Sequence, residues 1–368
     1  MITIGDIAGV LNQWAPPGLQ ESWDNSGLIA GDPGAEARGI LVCIDVTAHV
    51  IEEAISLGCN LVVSHHPPVF AGLKRFTSRD EEAVPLIKAI ENRIALFACH
   101  TNLDSIPEGV SGLLAKKLNL RETSVLAPRE KDLLKLVFFV PSSHADPVSE
   151  AIFRSGAGTI GKYDLCSFRS GGVGTFRGGE GTQPFTGVKG EWSKEEELRI
   201  ETILPKHLAG KVVEALIKSH PYEEVAYDLY PLENSNPAFG MGIKGLLPEP
   251  METGAFLRNV CEKLGIQALR YSSSDVKVIR KVAVCGGSGS GFTTKAIAAG
   301  CDAFITGDIK YHDWFRGTGG LLLVDVGHYE SEQFAMQGIY HSLIEKFPTF
   351  AVHLTEVNTN PINYYLSI

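Results

Sequence analysis

Three short stretches of this chain place imidazole and carboxylate side chains where an apolar run stops. LVVSHHPP, residues 61–68, ends a strand-like run in His65 and His66. CHTNLD, residues 99–104, brings His100 and Asp104 after the apolar run 94–98. DVGHYESE, residues 325–332, brings His328 and Glu332 after the run 321–326. Nitrogen and oxygen donors without thiolate suit a divalent cation such as zinc, iron, manganese, cobalt or nickel, and spacing does not choose among these. His328 and Glu332 stand four apart in what reads as the first turn of a helix, so they share a face and can converge on one ion. His65 and His66 are adjacent in extended chain, and their side chains diverge. They therefore serve two ions, or one binds while the other orients a neighbour. Asp104 or Glu332 could bridge such a pair of ions. Pro67 and Pro68 stiffen the backbone that leaves the histidines.

Further motifs sit at the same kind of position. CGGSGSG, residues 285–291, lies between a strand and a helix. It reads either as a cradle of free backbone amides for phosphate or as a tight turn, and it lacks the lysine of a Walker loop. In TGDIKYHDW, residues 306–314, Asp308, Lys310 and His312 are candidates for substrate contact or proton transfer, as is His100 in its own motif. Asp308 could equally cap a helix. ESWDNSGL, residues 21–28, offers Trp23, Asp24 and Asn25 in a loop that either approaches the site or only turns the chain.

The elements that must position these groups alternate. Runs 39–45, 61–64, 94–98, 282–285, 303–306 and 321–326 read as buried strands. Runs 3–15, 48–57, 81–92, 110–118, 256–264, 293–299 and 330–346 read as helices. Such alternation implies βαβ units and a largely parallel sheet, whose ligands gather beyond the carboxyl ends of the strands. All three clusters are expected on that one edge. The middle of the chain differs: strand 133–140, helix 144–154, a glycine-dense span 156–190, strand 197–204, helix 206–219 and strand 224–230. That β-α-β-β-α-β order is the ferredoxin-like one, and polar, proline-bearing text at 233–250 closes it. The expected fold is thus a split α/β domain, 1–127 and 249–368, in two similar halves, interrupted by an α+β insert at 128–248.

A length of 368 residues exceeds one ordinary core, and 44% hydrophobic with 21% charged residues is a globular composition. The formal net charge of -10 argues against general binding to nucleic acid or anionic membrane. No apolar stretch approaches the about 18 residues of a membrane span. The first residues lack a basic segment followed by an apolar run, so no signal peptide is expected. Seven scattered cysteines without a CxxC pair suit a reducing cytoplasm, as small buried hydrophobes.

Taken together, WDNSGL, SHHPP, HTNLD, GGSGSG, TGD, GHYESE and the closing TEVNTNPINYY resemble the motifs of the GTP cyclohydrolase I type 2 homologue family, also called NIF-three-like. HPYEEVAYD, residues 220–228, looks like part of the CutA/PII-like insert of its longer bacterial members. The resemblance implies a dinuclear site on His65, His66, Asp104, His328 and Glu332, holding two divalent ions with zinc first among the candidates. His100 would stand beside it as an orienting partner or occasional ligand. It also implies a toroidal homohexamer whose metal sites face an internal cavity. For activity it implies hydrolysis by a metal-activated water, as in ring opening of a purine nucleotide, with a nucleotide or other phosphorylated small molecule as substrate. The alternative is a metal-binding regulatory or adaptor protein that docks a protein partner without turnover.

Overall fold

A computed structural model describes residues 1–317 and 320–365. The chain divides into two compact units, Met1–Ala127 with Phe239–Ile368, and Pro128–Ala238. The division falls at Ala238, earlier than the expected 248, because residues 239–252 run in a strand of the first unit. Along the chain the strands are β1 (Gly27–Ala30), β2 (Ile40–Cys43), β3 (Leu61–Ser64), β4 (Ala95–Ala98) and β5 (Arg121–Arg129). Then follow β6 (Leu133–Pro141), β7 (Ser167–Phe176), β8 (Ser193–Pro205) and β9 (Tyr227–Leu232). The series closes with β10 (Asn236–Glu252), β11 (Arg270–Tyr271), β12 (Val278–Val284), β13 (Ala303–Thr306), β14 (Leu322–Asp325) and β15 (Val352–Leu354).

The first unit holds two sheets, ordered β1-β4-β3-β2-β15 and β11-β14-β13-β12-β10-β5. In the first, β15, β2, β3 and β4 run parallel and only β1 joins antiparallel. In the second, β12, β13 and β14 run parallel, while β10 and β11 pair antiparallel with β12 and β14. The three clusters thus leave two sheets, not the single edge expected: β3 and β4 of the first, β14 of the second.

The short strands β2, β3, β4, β13 and β14 are buried and apolar, save for a final Ser64, Thr306 or Asp325, because both their faces are covered. Ile40, Val42, Leu61, Val63 and Phe97 pack with Ile4, Ile7 and Leu11 of helix Ile4–Trp14 and with Ile339 and Leu343 of helix Phe334–Lys346. Leu41, Val62 and Leu96, one residue out of phase, pack with Val50, Ile51, Leu86 and Ala89. Each such side chain, fully buried, contributes roughly 1.5–3 kcal/mol. Thr3 starts the first helix with a reciprocal cap, its hydroxyl accepting from the Asp6 amide and its own amide donating to the Asp6 carboxylate. The expected long helix 330–346 is two, His328–Glu332 and Phe334–Lys346, so His328 and Glu332 occupy a separate turn.

In the second unit the four strands form one antiparallel sheet ordered β7-β8-β6-β9. Leu134, Leu136, Phe138 and Val140 alternate inward against Val148 and Ile152 of helix Ala145–Arg154 and Val212 and Leu216 of helix Ala209–Ser219. The intervening Lys135 pairs with Glu201 across the strands, the polar alternation of a sheet covered on one side. All seven cysteines are free thiols. Among the described residues no helix is long and apolar enough to cross a membrane.

Candidate metal centre

The backbone beyond β3 stays pinned to the chain beyond β2. The His65 amide donates to the Cys43 carbonyl at 3.2 Å and the His66 amide to Ile44 at 2.9 Å. With the backbone held, the two rings diverge as extended geometry requires. His65 Nδ1 donates to the Cys99 carbonyl at 2.7 Å, and His66 Nδ1 donates to Asp45 Oδ1 at 2.7 Å. Their Nε2 atoms nevertheless face one carboxylate, each its own oxygen: His65 lies 3.7 Å from Glu332 Oε1 and His66 3.0 Å from Glu332 Oε2.

His328 completes this arrangement from the second sheet. Its Nε2 is 3.0 Å from Glu332 Oε2 and 3.4 Å from His66 Nε2, while its Nδ1 donates to Asp308 Oδ2 at 2.7 Å. His100 Nδ1 donates to Asp24 Oδ1 at 2.7 Å. Asp104 Oδ1 stands 3.8 Å from His65 Nε2. Donor atoms of His65, His66 and His100 lie within 4.8 Å of one another, and so do those of His66, His328 and Glu332. His66 belongs to both groups.

The pattern at the four rings is the same. An oxygen takes each Nδ1 proton, which fixes the tautomer and leaves Nε2 as the lone-pair nitrogen turned inward. His65 is fully buried and its Nε2 has no hydrogen-bond partner. An orphaned buried nitrogen costs about 1–3 kcal/mol, a cost that a cation at this point removes. Imidazoles with carboxylates at such spacing fit a divalent borderline metal.

Charge points the same way. Burial alone would push the Glu332 carboxyl up, yet His328, His65 and His66 hold it well below its ordinary range. Burial works against protonation of His66, but Asp45 and Glu332 outweigh it and raise the ring to about 10. Glu332 first, opposed by burial and then helped by Asp308, raises His328 to about 9. His65 is raised too, burial being overcome by Glu332 and Asp104. Burial, reinforced by Glu332 against the pull of His65, lifts Asp104 to about 6. The carboxylates that favour positive charge on these rings would equally favour a cation bound beside them.

Other expected residues find different places. Asp308 orients His328 and accepts from the Ser288 hydroxyl at 2.6 Å, so its role is positioning. Burial opposes its ionisation, but Ser288 and His328 keep its carboxyl low. Lys310 and His312 are exposed. The His312 ring lies edge-on to Tyr311, and no hydrogen bond or ion pair among the described residues joins it to the cluster. The glycine loop is the tight turn: the amides of Gly286, Gly287 and Gly289 donate to Ser111, Ser331 and Thr306 hydroxyls. Its glycines serve Glu332. A Cβ at Gly287, whose φ is +61°, would stand 2.3 Å from Glu332 Oε1.

The loop 21–28 does approach the site, through Asp24, which also accepts from the Thr101 amide at 3.0 Å. Burial opposes the Asp24 charge, and His100 and Thr101 hold the carboxyl below its usual range. Asp45 is the residue the sequence reading missed. Its only signal was position, at the end of the run 39–45 and on the same strand-exit edge as His65.

The comparisons with known proteins bear on the whole chain. The family model of Duf34/NIF3 (NGG1p interacting factor 3) matches residues 2–361. A protein of Halalkalibacterium halodurans named GTP cyclohydrolase 1 type 2 homolog is 40% identical over 365 residues, covering 97% of this chain and 98% of the relative. A protein of the same name from Bacillus subtilis is 38% identical over 366 residues, covering 97% of each. The crystal structure of a Bacillus cereus protein related to NIF3 superposes with a TM-score of 0.83 at 36% identity, over 99% of both chains. Matched along nearly its full length by the model and by these relatives, the chain belongs to the Duf34/NIF3 family.

Proposed function

We propose that the cluster holds two divalent metal ions and that the protein is a metal-dependent hydrolase. The observation that carries the reading is the anchoring of four imidazoles through Nδ1, with the Nε2 atoms of His65, His66 and His328 turned toward the one buried Glu332 carboxylate. His65, His66 and His100 supply one group of donors, and His66, His328 and Glu332 the other. Asp104 adds a carboxylate beside His65. Divalent ions bound there supply Lewis acidity and a water acidic enough to ionise near neutral pH. Asp45, Asp24 and Asp308 hold the rings in register. Zinc is the first metal to try, given the nitrogen-rich donor set. GTP is the first substrate to try, because the relatives are named GTP cyclohydrolase 1 type 2 homolog.

The test is metal analysis of purified protein, with turnover of GTP and a panel of phosphoesters. The unaltered chain should carry stoichiometric metal, and His66→Ala and Glu332→Ala should lose it and all turnover while remaining folded. Metal content equal in all three proteins would reject the site, and turnover equal in all three would reject the mechanism.

The second reading is a metal-binding adaptor without turnover. It is favoured by the exposed apolar side chains Tyr163, Leu165, Phe168 and Trp192 on the second unit, and by the family's description as an interacting factor. We read that unit as ferredoxin-like, on its β-α-β-β-α-β order and on the sheet order β7-β8-β6-β9. A protein that binds metal yet turns over nothing in the panel favours this alternative. The homohexamer stays a proposal that sedimentation would test.

A further inference from the structure

The segment that follows β15 has no regular structure, yet two of its consecutive polar side chains, Thr359 and Asn360, are spent on the scaffold of the metal centre. At its start the Thr355 amide donates to the Val42 carbonyl at 2.9 Å, and the Glu356 amide donates to Glu53 at 2.8 Å. The Thr355 hydroxyl also donates to Glu53, and Val357 packs against the first sheet. These contacts fix the segment to the first sheet.

The next two polar contacts reach the two sides of the cluster. Thr359 Oγ1 donates to Asp45 Oδ2 at 2.7 Å, and the other oxygen of that carboxylate takes the His66 Nδ1 proton. Asn360 Nδ2 donates to Glu330 Oε1 at 3.0 Å. Glu330 is buried and lies in the single helical turn that carries His328 and Glu332. The other Glu330 oxygen fills the space that a Cβ of Gly327 would need, beside the Tyr364 hydroxyl. Consecutive residues of one strap therefore hold Asp45, which orients His66 beyond the first sheet, and Glu330, which lies in the turn that carries His328 and Glu332 beyond the second.

We propose that Thr359 and Asn360 are positioning residues, a clasp that sets the distance between His66 and the His328–Glu332 turn. The inference rests on the metal reading above. A carboxylate with two oxygens can turn about its bond to Cβ. Asp45, held on both oxygens, cannot turn without breaking one contact, so the His66 ring stays aimed. Asn360 has the corresponding effect on the turn, which offers few main-chain hydrogen bonds of its own because it is so short. Neither residue touches the space where donor atoms converge.

The test uses full-length protein and Zn2+ competed against a chromophoric chelator. Thr359→Val keeps the volume and removes the donor, and Asn360→Leu does the same for Glu330. Each should weaken zinc binding by about 10-fold, within the range typical of groups that orient metal ligands. Thr359→Ser, which keeps the hydroxyl, should bind like the unaltered chain. Asn360→Leu should weaken one of two binding steps, and Thr359→Val both, since His66 belongs to both donor groups. Both substitutions also strip a hydrogen bond from a carboxylate, so the metal-free variants should melt somewhat lower, while Thr359→Ser should not. Zinc affinities equal to the unaltered chain would overturn the clasp. So would a loss shared by Thr359→Ser, since that would mean packing alone. An unaltered chain that takes up no zinc would reject the metal reading and the clasp with it.

Discussion

Buried and half-buried histidines occur in both units, and they are held in opposite ways. In the first unit His65, His66 and His328 fix one nitrogen on an oxygen and turn the other toward Glu332. In the second unit His220 spends both nitrogens on the main chain. Its Nε2 donates to the Phe139 carbonyl at 2.9 Å, and its Nδ1 accepts from the Tyr222 amide at 3.1 Å. Carboxylates raise the first set, whereas burial lowers His220. The same side chain is open to a cation where one nitrogen is left to face charge, and a strut where neither is.

The sharpest way to break this contrast is Gly287→Ala. The added methyl would stand against Glu332 Oε1 on a backbone with φ +61°, so the carboxylate must move away from the histidines. Metal affinity should fall on the order of 100-fold, beyond the effect of losing an orienting group. Isothermal titration checks it, and unchanged affinity would show that Glu332 is not what gathers the rings. His220→Phe should do the reverse. It removes two buried hydrogen bonds and leaves the Phe139 carbonyl unpaired, for a loss of about 1–3 kcal/mol in denaturant unfolding, with metal content unchanged.

The smallest effect, and the most diagnostic, is the opposed response to pH in metal-free protein. The raised rings of His66 and His328 contribute stability that is full below the unfolded value near 6.5 and fades as pH climbs through about 9 to 10. The lowered ring of His220 contributes stability present above the unfolded value and lost as pH falls through its folded one. Amide protection, taken relative to the intrinsic exchange rate, should therefore fall in 61–66 between pH 8 and 10, on this argument, and in 133–141 as pH drops below the ordinary histidine value. Parallel responses in the two segments would erase the distinction.

Much of this was legible in advance. The apolar runs that became β3, β4 and β14 lead to His65, His100 and His328 as read, because short strands buried on both faces stay apolar until their last residue, Ser64 in β3 and Asp325 in β14. β10 was not legible. Its text NPAFGMGIKGLLPEPME contains glycines and prolines that argue against a strand. The structure accommodates them: register shifts between Leu246 and Met251, where Pro248 and Pro250 need no ladder partner, and Gly245 lies against the Arg121 carbonyl. Which carboxylate orients which ring was hidden for another reason, although Asp24 and Asp308 stood among the candidates. Asp24 is 76 residues from His100 and Asp45 is 21 from His66, so only the fold brings them together. His312 misled because sequence proximity to Asp308 says nothing about which way a turn carries a side chain.

The separation of the two sheets along the chain has a consequence for biosynthesis. His66 and His328 are 262 positions apart, and the whole second unit is translated between them. At roughly 5–20 residues per second, the ribosome takes on the order of tens of seconds to travel from one to the other. Throughout that interval the nascent polypeptide displays three imidazoles with no Glu332 to gather them. On the metal reading, loading would follow translation, and an ion captured earlier would meet a half-built, differently composed set of donors.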